Sequence, residues 1–221
     1  MAFGKKSNET VTITAPNFKV ATIRIRGTAP LVQNRFASRT KIEEDMEAGD
    51  KGKKARKGLK PPKDFAAEFN ASRHMSAEGW DGINASGFRN ALIRACSLVG
   101  IEMTRGKSAL FIEADGLEQT DGTPLVKIIS KKPPEEFRAA VRNKNGSMDV
   151  RARPMWREWA CDLRVRYDAD MISSESVINL VARAGGQVGV GAGRPFSTMS
   201  AGQGWGTFEV SPVAGAKKEA A

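Results

Sequence analysis

From Trp159 to Tyr167 the chain alternates residue by residue. Trp159, Cys161, Leu163, Val165 and Tyr167 fall on one side, and Asp162, Arg164 and Arg166 on the other. Successive strand side chains point to opposite faces, so this stretch reads as a half-buried β-strand with a mainly basic outer face. Lys19 to Arg26 has the same design, with Ala21, Ile23 and Ile25 against Thr22, Arg24 and Arg26. Gly27 and Pro30 then break it.

What lies between the two strands, and after the second, narrows the fold further. Phe88, Leu92, Cys96 and Val99 recur at helical spacing, so Ser86–Val99 is the strongest helix. Asn84 or Ser86 can cap its start, and Gly100 follows its end. Ala109–Ala114 and Leu125–Ile129 read as strands, separated by the turn residues Asp121-Gly-Thr-Pro124. After Tyr167, Ser173 or Ser174 caps a helix through Ala184 that Gly185-Gly186 ends, with Glu175 placed for the helix dipole. Trp205–Val210 is a final short strand.

The order strand–helix–strand, insertion, strand–helix–strand predicts an α+β fold of the ferredoxin-like (RRM-like) kind. In that arrangement the first and third core strands lie side by side and helices cover one face. Arg24, Arg26, Arg164 and Arg166 would then form a row on the open face, suited to a phosphate backbone.

Residues 1–16 read as a flexible arm, 17–211 as one domain, and 212–221 as a flexible tail. Two insertions are expected, at about 36–80 and 115–157. The first contains residues 49–63, with seven basic side chains, one acidic and no aromatic. Such a stretch cannot pack alone, so it is expected to be a mobile loop. Its Lys51, Lys53, Lys54, Arg56 and Lys57 are candidate nucleic-acid contacts. In the second insertion, residues 131–157 are polar, with Pro133-Pro134 and Asn145-Gly146.

The 221 residues carry 35 basic and 25 acidic side chains, a net charge of +10. That balance attracts polyanions. No apolar run approaches the ~18 residues of a membrane span, and the first ten residues lack the apolar stretch of a secretory signal. The basic loop has nothing apolar beside it to insert in lipid, so nucleic acid is preferred. Cys96 and Cys161 are far apart and sit among apolar neighbours, which suits a reducing cytoplasm.

Residues 185–206 contain eight glycines around Arg194. Glycine density permits positive φ and close approach of backbone amides to an anion. Gly191, Gly193 and Arg194 are therefore expected to follow a nucleic-acid backbone. A helix precedes the run where a dinucleotide fingerprint needs a strand.

The segments Val188-Gly-Val-Gly-Ala-Gly-Arg194 and Gly204-Trp-Gly-Thr-Phe-Glu-Val210 resemble the glycine-rich loop and last strand of the CRISPR-associated RAMP superfamily. Gly82-Ile-Asn-Ala-Ser-Gly-Phe-Arg-Asn-Ala-Leu-Ile-Arg94 is similar to that family's I-P-G-S-S-x-R-G-A-L-R lead-in to its first helix. Asn84 stands where the family has proline and Gly87 at the second small position, while Arg89 and Arg94 are kept. With the early strand and Thr28-Ala-Pro-Leu31, the resemblance spans residues 18–210. It is greatest to the backbone subunits that coat a guide RNA in antiviral defence; stand-alone phage and mobile-element proteins are also similar. The resemblance implies RNA binding and head-to-tail assembly.

Catalytic chemistry has weaker support. His74 is the only histidine, and some RAMP relatives use a histidine to cleave RNA, but a surface histidine is expected here. Gly106-Lys107-Ser108 fails as a phosphate-binding P-loop, because residue 101 is isoleucine and a helix precedes it; a basic loop is expected. No Cys-x-x-Cys exists, and Glu43, Glu44, Asp45 and Glu47 read as a solvated helical face, so no metal or other cofactor is expected. Asp45 and Asp50 match no cleavage motif. Trp156 and Trp159 sit among Arg151, Arg153 and Arg157. Trp159 belongs to an apolar face, which leaves Trp156 as the stacking candidate and Phe196 as another.

The function expected is non-catalytic binding of single-stranded nucleic acid, RNA ahead of DNA, by a cytoplasmic homo-oligomer or filament. The alternatives are a phage or mobile-element single-stranded DNA-binding protein and a metal-independent endoribonuclease.

Overall fold

The two alternating segments are adjacent strands. In β1 (Phe18–Gly27), Ile23 and Ile25 are buried while Thr22, Arg24 and Arg26 are exposed. In β9 (Ala160–Asp168), Cys161, Leu163, Val165 and Tyr167 are buried. The two pair antiparallel, with Ile23 opposite Leu163 and Ile25 opposite Cys161. The structure, a computed structural model, describes residues 14–35, 63–142, 148–197 and 202–211.

Between these strands come β2 (Leu31–Val32), α1 (Phe65–Ala71), β3 (Gly82–Asn84), α2 (Ala85–Leu98), α3 (Met103–Ala109), β4 (Leu110–Glu113), β5 (Gly116–Leu117), β6 (Pro124–Lys127), β7 (Glu135–Arg142) and β8 (Met148–Trp156). After β9 come α4 (Ser174–Arg183), a π turn over Ala184–Val188, and β10 (Phe208–Val210). The protein is thus a mixed α+β fold with antiparallel sheets and, among the described residues, four α-helices. The main sheet runs β10-β1-β9-β4, every pair antiparallel.

One face of that sheet carries the core. Ile25, Leu110, Leu163, Val165 and Phe208 pack with Phe88, Leu92 and Cys96 of α2 and with Val177, Leu180 and Val181 of α4. Asn84 caps α2, its Oδ1 accepting from the Ser86 amide at 2.8 Å, and Ser173 caps α4 through the Ser176 amide at 3.2 Å. Burial pushes the Cys96 and Cys161 thiols up, so both stay protonated in the core.

The differences from expectation lie in the connections. Gly185-Gly186 does not end the last helix: the chain continues through the π turn and stops at Gly189, where φ is 71°. Gly185 has Phe208 O 2.0 Å from where a Cβ would stand, so this glycine serves close helix–strand packing instead of a helix end. The final strand begins at Phe208, not Trp205, because the Trp205 amide bonds to Gly193 O and the Gly206 amide to Pro30 O instead of entering the sheet. Gly106-Lys107-Ser108 lies inside helix α3 and is not a loop.

The polar stretch 131–157 is a β-hairpin, with Glu135 opposite Met155 and Arg142 opposite Met148. Its inner end is sealed by buried Ala152, Met155 and Trp156, and α1 packs on β8, Glu68 accepting from the Ala152 amide at 3.1 Å. Pairing with β2 gives the hairpin a third strand, which lets sparse apolar content suffice. The basic stretch at Lys51–Lys57, the acidic run, both chain ends and most of the first insertion lie outside the described residues.

Candidate nucleic-acid interface

One side of α2, running from buried Ala91 to exposed Asn90, supplies one wall of a cleft. Gly87, Asn90, Ala91 and Arg94 stand three and four residues apart and line a cavity of about 500 Å³. The opposite wall is the glycine-rich segment Val188–Gly191 with Arg194 and Phe196, and Lys107 of α3 closes one side. A second cavity of about 280 Å³ adjoins it, sharing Gly87, Gly191 and Arg194 and adding His74, Asn84 and Ser86. No carboxylate lines either cavity among the described residues. The basic groups converge without being neutralised there. The Arg94 guanidinium lies 4.9 Å from the Phe196 ring, and Arg194 Nη1 donates to Gly191 O at 3.0 Å.

The glycine-rich loop is held by its own backbone. Gly189, Gly191 and Gly193 all take positive φ. At Gly191 a Cβ would stand 2.6 Å from Val32 O, so the loop lies directly on β2. The Val190 amide donates to Gly206 O at 3.0 Å, Ala192 to Val32 O at 2.8 Å and Phe196 to Val188 O at 3.1 Å. Those three amides are engaged within the fold, and Arg194 supplies the positive side chain of the loop.

The arginines of the main sheet share its open face, but not one environment. Arg24 makes a two-pronged ion pair with Asp162, whose hydrogen bond holds the guanidinium above its ordinary pKa. Arg26 donates to Glu209 at 2.8 Å. Arg164 pairs with Asp115 at 3.2 Å and donates to the Ala114 carbonyl. Arg166 lies against two aromatic rings. Arg89 points away from the cleft, donating to Leu110 O at 2.9 Å and Lys107 O at 2.6 Å, and so fastens α3 to α2.

Trp156 is not a stacking residue on the surface. It is 3% exposed, opposite Leu31 across the β8–β2 pair. The expectation fails because β8 ends with Pro154, Met155 and Trp156 all buried, a departure from period two that its arginine-rich neighbourhood conceals. Trp159 is core, as its alternation implies.

His74 is not a surface histidine either. Its side chain is 16% exposed, and Nδ1 lies 2.8 Å from Glu118 Oε2. Glu118 is buried and its other oxygen makes an ion pair with Arg35 at 2.5 Å. A buried carboxylate needs such partners to offset its lost hydration. The His74 amide donates to Gln33 Oε1 at 3.1 Å. Hydrogen bonds from Thr123 hold the nearby Asp121 carboxyl below its ordinary range, with Arg35 adding its charge. Sequence spacing could not reveal this group, since Glu118 and His74 are 44 residues apart.

Among the described residues no helix is long and apolar enough to cross a membrane, and no three His, Cys, Asp or Glu side chains cluster as a metal site. No family model and no curated protein matches the chain.

Proposed function

We propose that this protein binds single-stranded nucleic acid, RNA ahead of DNA, as a non-catalytic subunit of the RAMP type that assembles head to tail along the strand. The observation that carries this reading is the cleft. Arg94, Lys107 and Arg194 converge on it, Phe196 offers a ring beside them, and no acidic side chain lines it among the described residues. Cations plus an aromatic group along a groove are the usual recipe for holding a single strand. The strand order β10-β1-β9-β4, with α2 between β1 and β4 and α4 between β9 and β10, supports a ferredoxin-like core. Assembly draws support from the β7–β8 hairpin, which holds Met148 and Val150 in solvent as apolar groups for a neighbouring subunit.

Binding of fluorescent uridine and thymidine oligonucleotides across a salt series tests the reading. Affinity should fall steeply with salt, the logarithmic slope being about −0.7 for each phosphate neutralised on a single strand. Three groove cations then predict a slope of about −2. A flat salt response would sink the mechanism. Tighter binding of uridine than thymidine favours RNA, and the reverse order moves the protein to the single-stranded DNA binders.

The His74–Glu118 contact favours a second reading, a metal-independent endoribonuclease. A carboxylate that holds Nδ1 orients an imidazole for proton transfer, and His74 lines the cavity next to Arg194. His74→Ala separates the two. Cleavage of an RNA strand in chelator by the wild type, lost in the variant while binding is kept, establishes the enzyme. An intact strand with both proteins leaves the binding subunit.

A further inference from the structure

Arg24, Arg26 and Arg164 each face a carboxylate on the open sheet, whereas Arg166 makes no ion pair among the described residues. Its guanidinium lies 5.1 Å from the Phe18 ring and 4.9 Å from the Phe111 ring, and those rings meet edge to face at 5.7 Å. The strand register explains the grouping. Val20 on β1 and Phe111 on β4 stand directly opposite Arg166 on β9, so three strands form one row, with Phe18 two residues from Val20 on the same face. Phe18 and Val20 are 41% and 51% exposed.

A guanidinium laid against rings keeps a flat apolar surface and a hydrogen-bonding edge at once. The flat surface suits an unstacked base and the edge suits a phosphate. Lipid and protein sites are marked by broad apolar patches, whereas here the rings surround a single guanidinium. Arg89, whose guanidinium lies 4.8 Å from the Phe111 ring, ties this corner to α3, which also carries the groove residue Lys107.

We propose that Phe18, Phe111 and Arg166 form a second contact for the strand, where one base stacks on the aromatic–guanidinium surface and its phosphate meets the Arg166 edge. The inference rests on the single-strand reading above and adds a base-stacking site remote from the glycine-rich loop.

Two ligands and three variants test it. The ligands are a uridine oligonucleotide and an abasic ribose-phosphate strand of equal length. Phe18→Leu keeps the apolar bulk but removes the ring; Arg166→Lys keeps the charge but removes the plane; Arg94→Gln with Arg194→Gln weakens the groove. Thermal melts check that each variant folds. Phe18→Leu and Arg166→Lys should weaken uridine binding about 10-fold, from the usual stacking contribution of one base. Both should leave the abasic strand and the salt slope unchanged. Uridine binding as tight as wild type in both variants, with the groove pair weakening both ligands, overturns the stacking site and leaves the groove reading intact. Tighter binding by Phe18→Leu also overturns it, because the ring then opposes the strand instead of stacking on a base. A wild type that binds neither ligand at low salt removes the parent reading and this one together.

Discussion

Replacing Arg94 and Arg194 together by glutamate is expected to lower affinity for a single-stranded oligonucleotide on the order of 100-fold or more at moderate salt. The two side chains reach the same cleft from opposite walls, one from α2 and one from the glycine-rich loop. Each phosphate left without its arginine keeps its counterion, so the logarithmic salt slope should become shallower by about 0.7 per arginine. Reversal goes further than removal because two carboxylates then repel the backbone. Arg94 also lies against Phe196, and giving up that cation–ring interaction costs about 0.5–1 kcal/mol at an exposed site. The glutamine pair separates charge from packing: it should show the same flattening of the slope with a smaller drop in affinity. Oligonucleotide anisotropy with a thermal melt for each variant gives both quantities. Wild-type affinity in the glutamate pair would remove the cleft as the binding site and leave the open sheet face to account for binding.

How much of this is legible in the sequence depends on the range over which each feature is determined. The strands β1 and β9 are readable because alternation is local, and their side-by-side placement follows from the order of elements. The caps Asn84 and Ser173 are readable for the same reason. The 131–157 hairpin is not, because its stability comes from β2 and α1, distant segments that supply what its own composition lacks. At the site, Arg94 and Arg194 stand out in the sequence and both line the cleft, whereas Arg89 stands out and does not. A difference of five residues on a helix decides it: Arg94 shares a face with Gly87, Asn90 and Ala91, and Arg89 does not. Helical geometry alone carries that distinction. Lys107 is hidden by its place in a failed P-loop, although its charge alone suffices for the role the cleft gives it. The carboxylate partners of Arg24 and Arg26 depend on cross-strand register, which the alternation of a single strand does not reveal. Phe111 escapes notice because it follows buried Leu110 in a short apolar run, where the period is too brief to tell faces apart.

Gly206→Ala should destabilise the fold by about 3–6 kcal/mol, the largest effect expected of any single methyl group in the glycine-rich segment. Gly206 has φ 66°, and a Cβ there would stand 1.8 Å from Val190 O. The obstacle is backbone, so no rotamer change can relieve it. Nor can the backbone withdraw without breaking hydrogen bonds: Gly206 O accepts from the Val190 amide at 3.0 Å, and the Gly206 amide donates to Pro30 O at 2.8 Å. Positive φ with a side chain costs about 1–2 kcal/mol, forced overpacking about 1–3, and a broken hydrogen bond about 1. Gly204→Ala is the matched control, with φ 75° and nothing within 4 Å of its Cβ position, so it should bear only the conformational part. In a chain of this size each kcal/mol moves Tm by about 2–4 °C, so Gly206→Ala should melt roughly 10 °C below wild type and Gly204→Ala only a few degrees. Equal melting of the two variants would show that the Val190–Gly206 clamp does not hold the loop. If the clamp holds, Gly206→Ala should also bind oligonucleotides more weakly below its Tm while Gly204→Ala does not. The residues clamped at Val190 lead directly to Arg194, and a cation displaced from the cleft can no longer share a phosphate with Arg94.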